Sequence, residues 1–473
     1  MSQPPNSVPI AVYASYGTSQ PQASRSASRW RNQPQSNSVA AGGLIFLSAG
    51  MNMAQGVGWN HGSFFGSLEH FRFSWFVGVI IGAILAAPLA NLFPKKFMLA
   101  FSSLLILIEG IIFTSAPYEY EPLLAGRYLN GIGVGFATIP FFIHASEISA
   151  NTYRGSCLAI EQYGVCFGIA IQVIYASQWG STAFPANRLH GIFDIIFAVG
   201  AMASLLYFIE SPIFFIRKGD EAAALDCLSR LQRPQGVTSA TTVLLEEHKN
   251  YVRENENYTL MEGIKRGILP LVKIIFFRSM MVAFCFSLPL NTALQFSLLA
   301  NFITWPPIVA ACLRIFGAFI ALILVDGLGR KLPSLIFIVI TGALIIAIGA
   351  MFSNFSNLYN SYDMSVVTSL SLLTQFFAGL FVPFTSIYMG EAFPLVVKPY
   401  FIGVSVIIEQ LIHIIIIVTF VPYISSIFDS LLAQGIIMVV FFLFLCTTMP
   451  ETRKISLKEA QDRFRHLFHL NLY

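Results

Sequence analysis

The segment GRYLNGIGVGFATIPFFIHASEISANTYRG, residues 126–155, decides the fold of this chain. Its long apolar core predicts a helix that crosses a membrane. Gly131, Gly133 and Gly135 fall inside that core, and glycines let the backbones of two helices approach closely in lipid. The charged residues lie toward the two ends of the segment, where charge costs less in a bilayer. The segment therefore predicts a tightly packed membrane-spanning helix.

A related segment, FAGLFVPFTSIYMGEAFPLVVKP, occupies residues 377–399. Its Glu391 follows Glu147 by 244 residues. Its Lys398 follows Arg154 by the same 244 residues. A constant offset of about half the chain indicates two duplicated halves. In a membrane protein, duplicated halves are typical of a transporter with its site between the repeats.

The composition excludes a soluble protein. Of the 473 residues, 55% are hydrophobic and 11% are charged, and the mean hydropathy is +0.68. Soluble domains carry about 25% charged residues, so this chain has too few to cover a surface exposed to water. The net charge of +4 is too small to indicate nucleic-acid binding. We therefore expect an integral membrane protein that binds no nucleic acid.

Twelve apolar segments are long enough to cross a bilayer, which requires about 20 residues each. They fall near residues 40–59, 74–93, 97–115, 123–145, 157–178, 189–209, 274–297, 306–325, 333–352, 366–388, 400–423 and 429–449. Together with the repeat, they predict an all-α membrane protein with twelve transmembrane helices in two six-helix pseudo-repeats.

The polar segments divide the chain further. Residues 1–38 are rich in Ser, Gln, Pro and Asn and predict a disordered tail. The two six-helix halves span 39–210 and 271–450, and the charged segment 211–270 predicts a linker with short amphipathic helices. Residues 451–473 form the C-terminal tail. Lys and Arg concentrate in the tails and the linker, so we expect the linker and both termini in the cytosol.

Sequence signatures of other functions are weak or missing. We find no phosphate-binding loop, no metal-ligand cluster and no nucleophile elbow, which argues against an enzyme, a cofactor and a bound metal. The six cysteines show no spacing typical of a metal site or of a disulfide framework. Asn354 begins a glycosylation sequon in an expected outer loop, whereas the sequon at Asn257 falls in the cytosolic linker.

Six short motifs accompany the spans. They are Gly126-Arg127, Glu147 with Arg154-Gly155, Glu210-Ser211-Pro212, Asp326-Gly327-Leu328-Gly329-Arg330-Lys331, Glu391 with Lys398, and Pro450-Glu451-Thr452. Their order and spacing resemble the sugar porter family of the major facilitator superfamily, which includes the facilitative glucose transporters and the insect trehalose transporters. The resemblance covers about residues 40–465 and implies the major facilitator fold.

Charged residues at the cytosolic ends of helices in both halves can pair across the gap between the halves. Such pairs hold the cytosolic side closed and must break when the site opens inward. The alternative is that these charges only anchor the helices at the membrane edge. The loop ANLFPKK, residues 90–96, keeps little of the first-half copy of the gate motif, so we expect an asymmetric gate. The resemblance implies a gate formed by Arg127, Glu147, Arg154, Glu210, Asp326, Arg330, Glu391, Lys398 and Glu451.

Amide side chains on three spans are candidates for binding a substrate. Gln162 and Gln172 match positions that line the sugar site in the family. Asn291 and Gln295 could partly replace the paired glutamines that the family carries in helix 7 and that this chain lacks. Asn52 stands where proton-coupled members carry an aspartate and facilitative members a neutral residue, which favours passive transport. Each amide could instead form only a hydrogen bond between helices.

Two charged residues are unexpected inside the predicted spans. Arg314 and Glu409 stand where the family has asparagines that belong to its sugar site. An arginine in the bilayer core costs roughly 3 kcal/mol or more without water or a partner. We therefore predict that Arg314 and Glu409 face the cavity and pair with each other. Alternatively, Arg314 binds an anionic substrate, or the side chains only reach toward water.

Other ionisable residues also fall within predicted spans. Glu409 and His413 share a helix face and could relay protons. Glu161 is expected to form an interhelical hydrogen bond. Glu109 has no partner that the sequence reveals.

These observations predict transport of a hexose or a trehalose-like sugar across a bilayer by alternating access, most simply by facilitated diffusion. A proton-coupled symporter, or a porter for another polar or anionic solute, is the alternative. A non-transporting sensor or degenerate transporter is a third hypothesis, because Thr385 and Ser386 replace the Pro-Trp signature of helix 10. The resemblance implies a location in the plasma membrane.

Overall fold

A computed structural model describes residues 34–60, 68–178, 184–233 and 235–469. This part of the chain is built from helices and contains no β-strand. Most of the predicted N-terminal tail lies outside the described residues. The first helix begins at Pro34.

Six long helices form the first half, and each contains most of one predicted span. They are α1 (Pro34–Gly56), α2 (Glu69–Leu89), α3 (Lys95–Ser115), α4 (Tyr120–Ile148), α5 (Arg154–Gln178) and α6 (Ala186–Ser204). A short 3-10 turn, Leu205–Tyr207, extends α6.

Short helices follow the first half. They are α7 (Pro212–Arg217), α8 (Glu221–Leu231) and α9 (Ser239–Glu256), and α10 (Leu260–Ile274) then leads into the membrane. Thr238 caps α9 and Thr259 caps α10, each by accepting a backbone N–H of the first turn. We call the end of the molecule that carries these helices the linker side.

The seventh span is interrupted twice. After α10, the backbone widens into a π-helical turn, Ile275–Met280, before α11 (Met281–Cys285). Phe286 then leaves helical geometry, and α12 (Leu288–Asn301) completes the span. Single π-helical turns inside helices are frequent at functional sites.

Five further long helices and one short helix complete the second half. They are α13 (Pro306–Leu324), α14 (Lys331–Met351), α15 (Ser361–Glu391), α16 (Lys398–Thr419), α17 (Ile424–Thr448) and the terminal α18 (Leu457–Phe464). Eleven spans of the described chain are long and apolar enough to cross a membrane. The helix α1, with 23 residues, supplies the remaining predicted span. The predicted all-α membrane fold is confirmed.

The two halves repeat the same packing. In the first half α2 packs on α4 and α3 on α6, and in the second half α13 packs on α15 and α14 on α17. In each half, therefore, the second span packs on the fourth and the third span packs on the sixth. The halves meet where α2 contacts α16 and where α5 contacts α13. The contact between halves is therefore also repeated.

Glycines bring α2 and α4 into backbone contact, as the sequence predicts for Gly131 and Gly135. A Cβ added to Gly131 would lie 2.3 Å from the carbonyl oxygen of Trp75. A Cβ added to Gly135 would lie 2.1 Å from the carbonyl oxygen of Val79. Both distances are far below van der Waals contact, so no side chain fits between the two helices.

We expect Gly135→Ala to lower the thermal unfolding midpoint of the detergent-solubilised protein. The new methyl group would meet the backbone of α2, and overpacking of this kind costs roughly 1–3 kcal/mol. Gly200→Ala is the matched control, because its Cβ would meet only the terminal methyl of Leu44 at 3.3 Å. Equal midpoints for the two variants would contradict the close packing of α2 and α4.

Candidate functional site

A buried ion-pair network joins the two halves on the linker side. The Nε atom of Arg154, at the start of α5, lies 2.5 Å from Oε1 of Glu391, at the end of α15. Nη1 of Arg330 lies 2.6 Å from Oε2 of the same carboxylate. Arg154 belongs to the first half and the other two residues to the second, so this network holds the halves together.

Asp326 adds a second contact between the halves at the same level. Its carboxylate accepts hydrogen bonds from the backbone N–H groups of Gly155, at 3.1 Å, and Ser156, at 2.9 Å. These N–H groups lie in the first turn of α5, where they lack partners within the helix and attract negative charge. Burial alone would lower the pKa of Arg330, but the carboxylates of Glu391 and Asp326 outweigh it and raise that pKa above its ordinary value.

The repeat equivalents of this network are weaker. Lys398 donates from Nζ to Oγ of Ser146 at 2.5 Å, which also joins the halves. Glu147, however, accepts a hydrogen bond from Ser211 of its own half. The contacts between the halves on the linker side are thus asymmetric, because carboxylate pairing between the halves is concentrated on Glu391.

Glu210 and Glu451 each support one half rather than joining the two. Glu210 accepts a hydrogen bond from the backbone N–H of Lys96, at 3.2 Å, in the first turn of α3. Glu451 accepts from the N–H of Lys331, at 3.0 Å, where α14 begins. Both carboxylates therefore stabilise equivalent helix N-termini. Burial raises the pKa of Glu210.

Arg127 lies apart from the gate with which the sequence groups it. It is 20 residues from Glu147 on α4, about 30 Å along a helix that rises 1.5 Å per residue. Its guanidinium donates to Oε1 of Gln55 at 2.6 Å and to the carbonyl of Phe71 at 3.0 Å. These partners belong to the first half, so Arg127 organises the interior of that half.

A third contact between the halves lies in the middle of the bundle. Arg278, on the π-helical turn of the second half, bonds Glu161 of α5 through two nitrogens, with Nη2–Oε1 2.9 Å and Nη1–Oε2 3.2 Å. Its Nε lies 3.1 Å from Oε2 of Glu409 on α16. The three side chains are 2%, 5% and 8% exposed, respectively. We call Arg278, Glu161 and Glu409 the central triad.

The predicted ion pair between Arg314 and Glu409 is wrong, because Arg278 is the partner of Glu409. Sequence reasoning missed Arg278, which lies just inside the predicted seventh span. Its signal was an arginine in the apolar run together with two unpaired glutamates in other spans. Ser386 donates to Glu161 at 2.6 Å, and Thr385 lies 3.3 Å from Nη1 of Arg278. The two hydroxyls that replace the Pro-Trp signature therefore serve the triad.

A small cavity lies between the halves. Its volume is about 10 Å³, enough for roughly one water molecule. It brings together two predicted site residues, Asn291 and Arg314. Other lining residues include Trp59, Phe286, Leu294 and Gln375.

Amides of α12 close the side of the cavity opposite the linker. Asn291 donates from Nδ2 to the carbonyl of Val57 at 3.0 Å. Gln295 donates to the carbonyl of Gly58 at 2.9 Å. Since α12 belongs to the second half and Val57 and Gly58 follow α1, these hydrogen bonds join the halves on the side of the cavity away from the linker.

Other predicted site residues lie outside the cavity wall. Gln162 donates to Glu161 at 3.0 Å and so supports the central triad. Gln172 donates to the carbonyl of Trp59 at 2.7 Å and so contacts the backbone of a residue that lines the cavity. Asn52 contacts other polar side chains inside the first half. The proposed relay residue His413 stacks on Phe76.

Arg314 presents a positive donor to the cavity. Its Nη1 donates to Oε1 of Gln375 at 2.8 Å and to the carbonyl of Cys285 at 3.3 Å. Its guanidinium lies over the ring of Phe286, 4.8 Å from the centroid. Nε has no hydrogen-bond partner in the described residues. A solute with oxygen acceptors would satisfy this nitrogen.

Known proteins resemble the chain over shares of its length that differ from one relative to the next. A sequence model of the family described as "Sugar (and other) transporter" matches residues 33–464. Hexose transporter 1 of Plasmodium knowlesi is 23% identical over 69% of this chain and 68% of that protein. Probable polyol transporter 3 of Arabidopsis thaliana is 21% identical over 81% of each. Probable glucose transporter rco-3 of Neurospora crassa is 27% identical over 39% of this chain and 31% of that protein.

Solved structures share the fold. The proton:xylose symporter XylE bound to 6-bromo-6-deoxy-D-glucose superposes with a TM-score of 0.73 at 18% identity, covering 91% of this chain and 98% of that one. The inward-open structure of XylE from E. coli gives a TM-score of 0.61 at 17% identity, covering 90% and 98%.

We expect Arg278→Ala to destabilise the protein by about 3–5 kcal/mol, because it leaves buried carboxylates without a counter-charge. Glu161→Ala should also destabilise, and the double variant should be more stable than the sum of the single effects predicts. Thermal and denaturant unfolding in detergent measure all three. Arg217→Ala is the control, since its pair with Glu256 is 30% and 50% exposed and contributes about 1 kcal/mol or less. Additive effects of the two substitutions would contradict the pairing.

Proposed function

The chain belongs to the Sugar (and other) transporter family, and we propose that it carries a hexose or a trehalose-like sugar across the membrane by alternating access. It is a transporter rather than an enzyme. The observation that supports the proposal best is a cavity between two repeated halves, with contacts between the halves on the linker side and on the opposite side. A carrier needs such a closed state between its two open states.

The cavity must expand before it can hold a sugar. About 10 Å³ is far below the volume of a sugar, since ligand pockets measure about 300–1,000 Å³. Opening toward the linker side requires that Glu391 lose Arg154 and that Arg278 lose Glu161. Opening toward the other side requires that Asn291 release the end of α1. We infer that these sets of contacts break in alternation as the halves rock.

The residues around the cavity suit a sugar. Trp59 offers an aromatic ring against which a pyranose can pack, and Gln375 and Asn291 offer amides that donate and accept. Arg314 adds a donor whose Nε has no hydrogen-bond partner in the described chain. The relatives named for hexose and polyol transport support this substrate class. We place Gln162 and Gln172 behind this layer, where they position Glu161 and Trp59.

An anionic solute is the second candidate. No carboxylate in the described part of the chain lies within ion-pair distance of Arg314, which contacts neutral groups. A sugar acid or another carboxylate would supply the missing charge and bond Nε. The retained gate contacts argue against a non-transporting sensor, because a protein that does not change state needs no gate.

We further propose a location in the plasma membrane, with the linker and both termini in the cytosol. The concentration of Lys and Arg in the linker and the C-terminal tail supports this orientation. Asn354 would then face the outside on the exposed loop before Phe355. Its glycosylation stays a prediction.

Uptake of labelled glucose and trehalose into cells that express the protein tests the proposal. We expect saturable uptake of one sugar, and at least tenfold weaker uptake by Arg314→Ala, which removes a donor from the cavity. Arg230→Ala is the control, since its side chain pairs with Asp226 on the exposed surface of the linker. Excess unlabelled sugar acid that abolishes uptake would favour the anionic solute. No uptake of either sugar by protein at the cell surface would contradict a sugar carrier.

A further inference from the structure

A second cluster of ionisable side chains lies inside the first half, remote from the central triad. It consists of Glu109 on α3 and His190 and Asp194 on α6, with no exposed side-chain surface on any of them. Nε2 of His190 lies 3.0 Å from Oδ2 of Asp194 and 3.6 Å from Oε1 of Glu109. Family resemblance assigns these three residues no role, and the proposed carrier mechanism does not use them.

The contacts of Nδ1, the other ring nitrogen of His190, indicate which nitrogen carries a hydrogen. Gln172 uses its amide nitrogen on the carbonyl of Trp59, so its Oε1 faces the ring. That oxygen lies 2.9 Å from Nδ1 of His190. The amide oxygen can only accept, and the Tyr175 hydroxyl already donates to it, so we assign Nδ1 a hydrogen that both oxygens can accept. Nε2 therefore holds the exchangeable proton of this ring, and it faces two carboxylates.

Nε2 has a partner in each protonation state. With a proton, it forms an ion pair with Asp194 at 3.0 Å and lies 3.6 Å from Glu109. Without a proton, it accepts from Nδ2 of Asn52, which lies 3.2 Å away and also contacts Glu109 at 3.4 Å. The site can thus gain and lose one proton without leaving Nε2 unpaired.

The charges of the surroundings favour the protonated state in this conformation. Arg127 from α4 reaches the cluster through Asn52, with Nη1–Oδ1 3.5 Å. When both carboxylates are ionised, the Arg127 guanidinium and a protonated His190 bring the sum to zero, whereas a neutral ring leaves one uncompensated buried negative charge. Neither carboxylate oxygen of Asp194 accepts a hydrogen bond from the described residues. This carboxylate depends on a positive charge beside it.

The remaining groups around the cluster are neutral. The hydroxyl of Tyr175, on α5, lies 2.7 Å from Nδ1 of His190. The ring of Phe113, on α3, packs 5.0 Å from the imidazole centroid. Asn130, on α4, donates to Oε2 of Glu109 at 3.2 Å. None of these supplies the missing charge.

We propose that His190, Glu109 and Asp194 form a proton-binding site to which solute transport is coupled. The site takes one proton at Nε2 from one side of the membrane and releases it to the other in each cycle. This inference rests on the proposed function and assigns that carrier a driving ion. It replaces the expectation from Asn52 of passive transport, because the carboxylates stand on α3 and α6 instead of α1.

Two helices connect the proton site to the cavity. Gln172 bonds His190 with its oxygen and the backbone of Trp59 with its nitrogen, and Trp59 lines the cavity. Asn52 lies on α1, whose end is held by Asn291 of the second half through Val57. Loss of the proton allows Asn52 to donate to Nε2 and so changes a contact of the helix whose end borders the cavity.

A divalent metal ion is the rival occupant, since the ligating atoms of Glu109, His190 and Asp194 all lie within 4.8 Å of one another. A dication would leave the buried cluster with one excess positive charge, counting Arg127. A proton gives neutrality, so the structure favours the proton.

Purified protein in liposomes tests the inference. Exchange of labelled sugar at equal pH first measures carrier activity, and a pH gradient of one unit, acidic outside, then measures accumulation. We expect the wild type to concentrate sugar up to about tenfold inside, the limit for one proton per sugar. His190→Gln and Asp194→Asn should lower this ratio to about one. Asp429→Asn, at an exposed position of α17, should keep the wild-type ratio.

The outcomes separate the two proposals. No exchange by the wild type would overturn the sugar carrier itself. Exchange without accumulation by the wild type would overturn only the proton site, as would accumulation that survives in both variants. If His190→Gln does not fold, Asp194→Asn and Glu109→Gln decide the matter. Exchange that EDTA abolishes and Zn²⁺ restores, with no effect of the pH gradient, would assign the cluster to a metal ion and overturn the proposal.

Discussion

The closed state depends most on the ion pairs that Arg278 forms with Glu161 and Glu409 in the central triad. A buried guanidinium is tolerated only where carboxylates compensate its charge, and Arg278 takes one carboxylate from each half. Separation of the halves therefore leaves these buried charged side chains without partners unless water enters at the same time. The energy of this step makes the closed and open arrangements discrete states rather than points on a continuous motion.

The linker-side network also joins the two halves, at a different depth from the triad, and it uses different contacts. Glu391 there receives two arginines, and Asp326 binds the first turn of α5 through backbone N–H groups. The equivalent position in the first half, Glu147, has no such arginine pair in the described chain and bonds Ser211. The loss of the motif in the loop after α2 thus leaves one half to supply most of the closing charge. The two outer contacts of α12 use neutral amides, which are weaker and less costly to break.

The sequence predicts the helices well because hydropathy and length are local properties. The repeat offset also identifies Arg154 and Glu391. Both belong to motifs at helix ends, and these helix ends come together where the two halves contact each other. The repeat offset does not reveal the partner of Glu409, because that depends on how a π-helical turn rotates Arg278 toward α5. The sequence also does not reveal that Gln162 and Gln172 of α5 lie outside the cavity wall. Which face of a buried helix a polar side chain occupies follows from tertiary packing, and an apolar span carries little pattern to indicate it.

The central claim is that charge pairs hold the linker side closed, and Cys157 offers a direct reporter. This cysteine lies at the linker end of α5 and is 2% exposed. In protein whose other five cysteines are replaced, we predict that Glu391→Gln speeds alkylation of Cys157 at least tenfold. Glu254→Gln, which affects an exposed pair with Lys458, should leave the rate unchanged. Equal rates in the wild type and Glu391→Gln would contradict a gate held closed by charge.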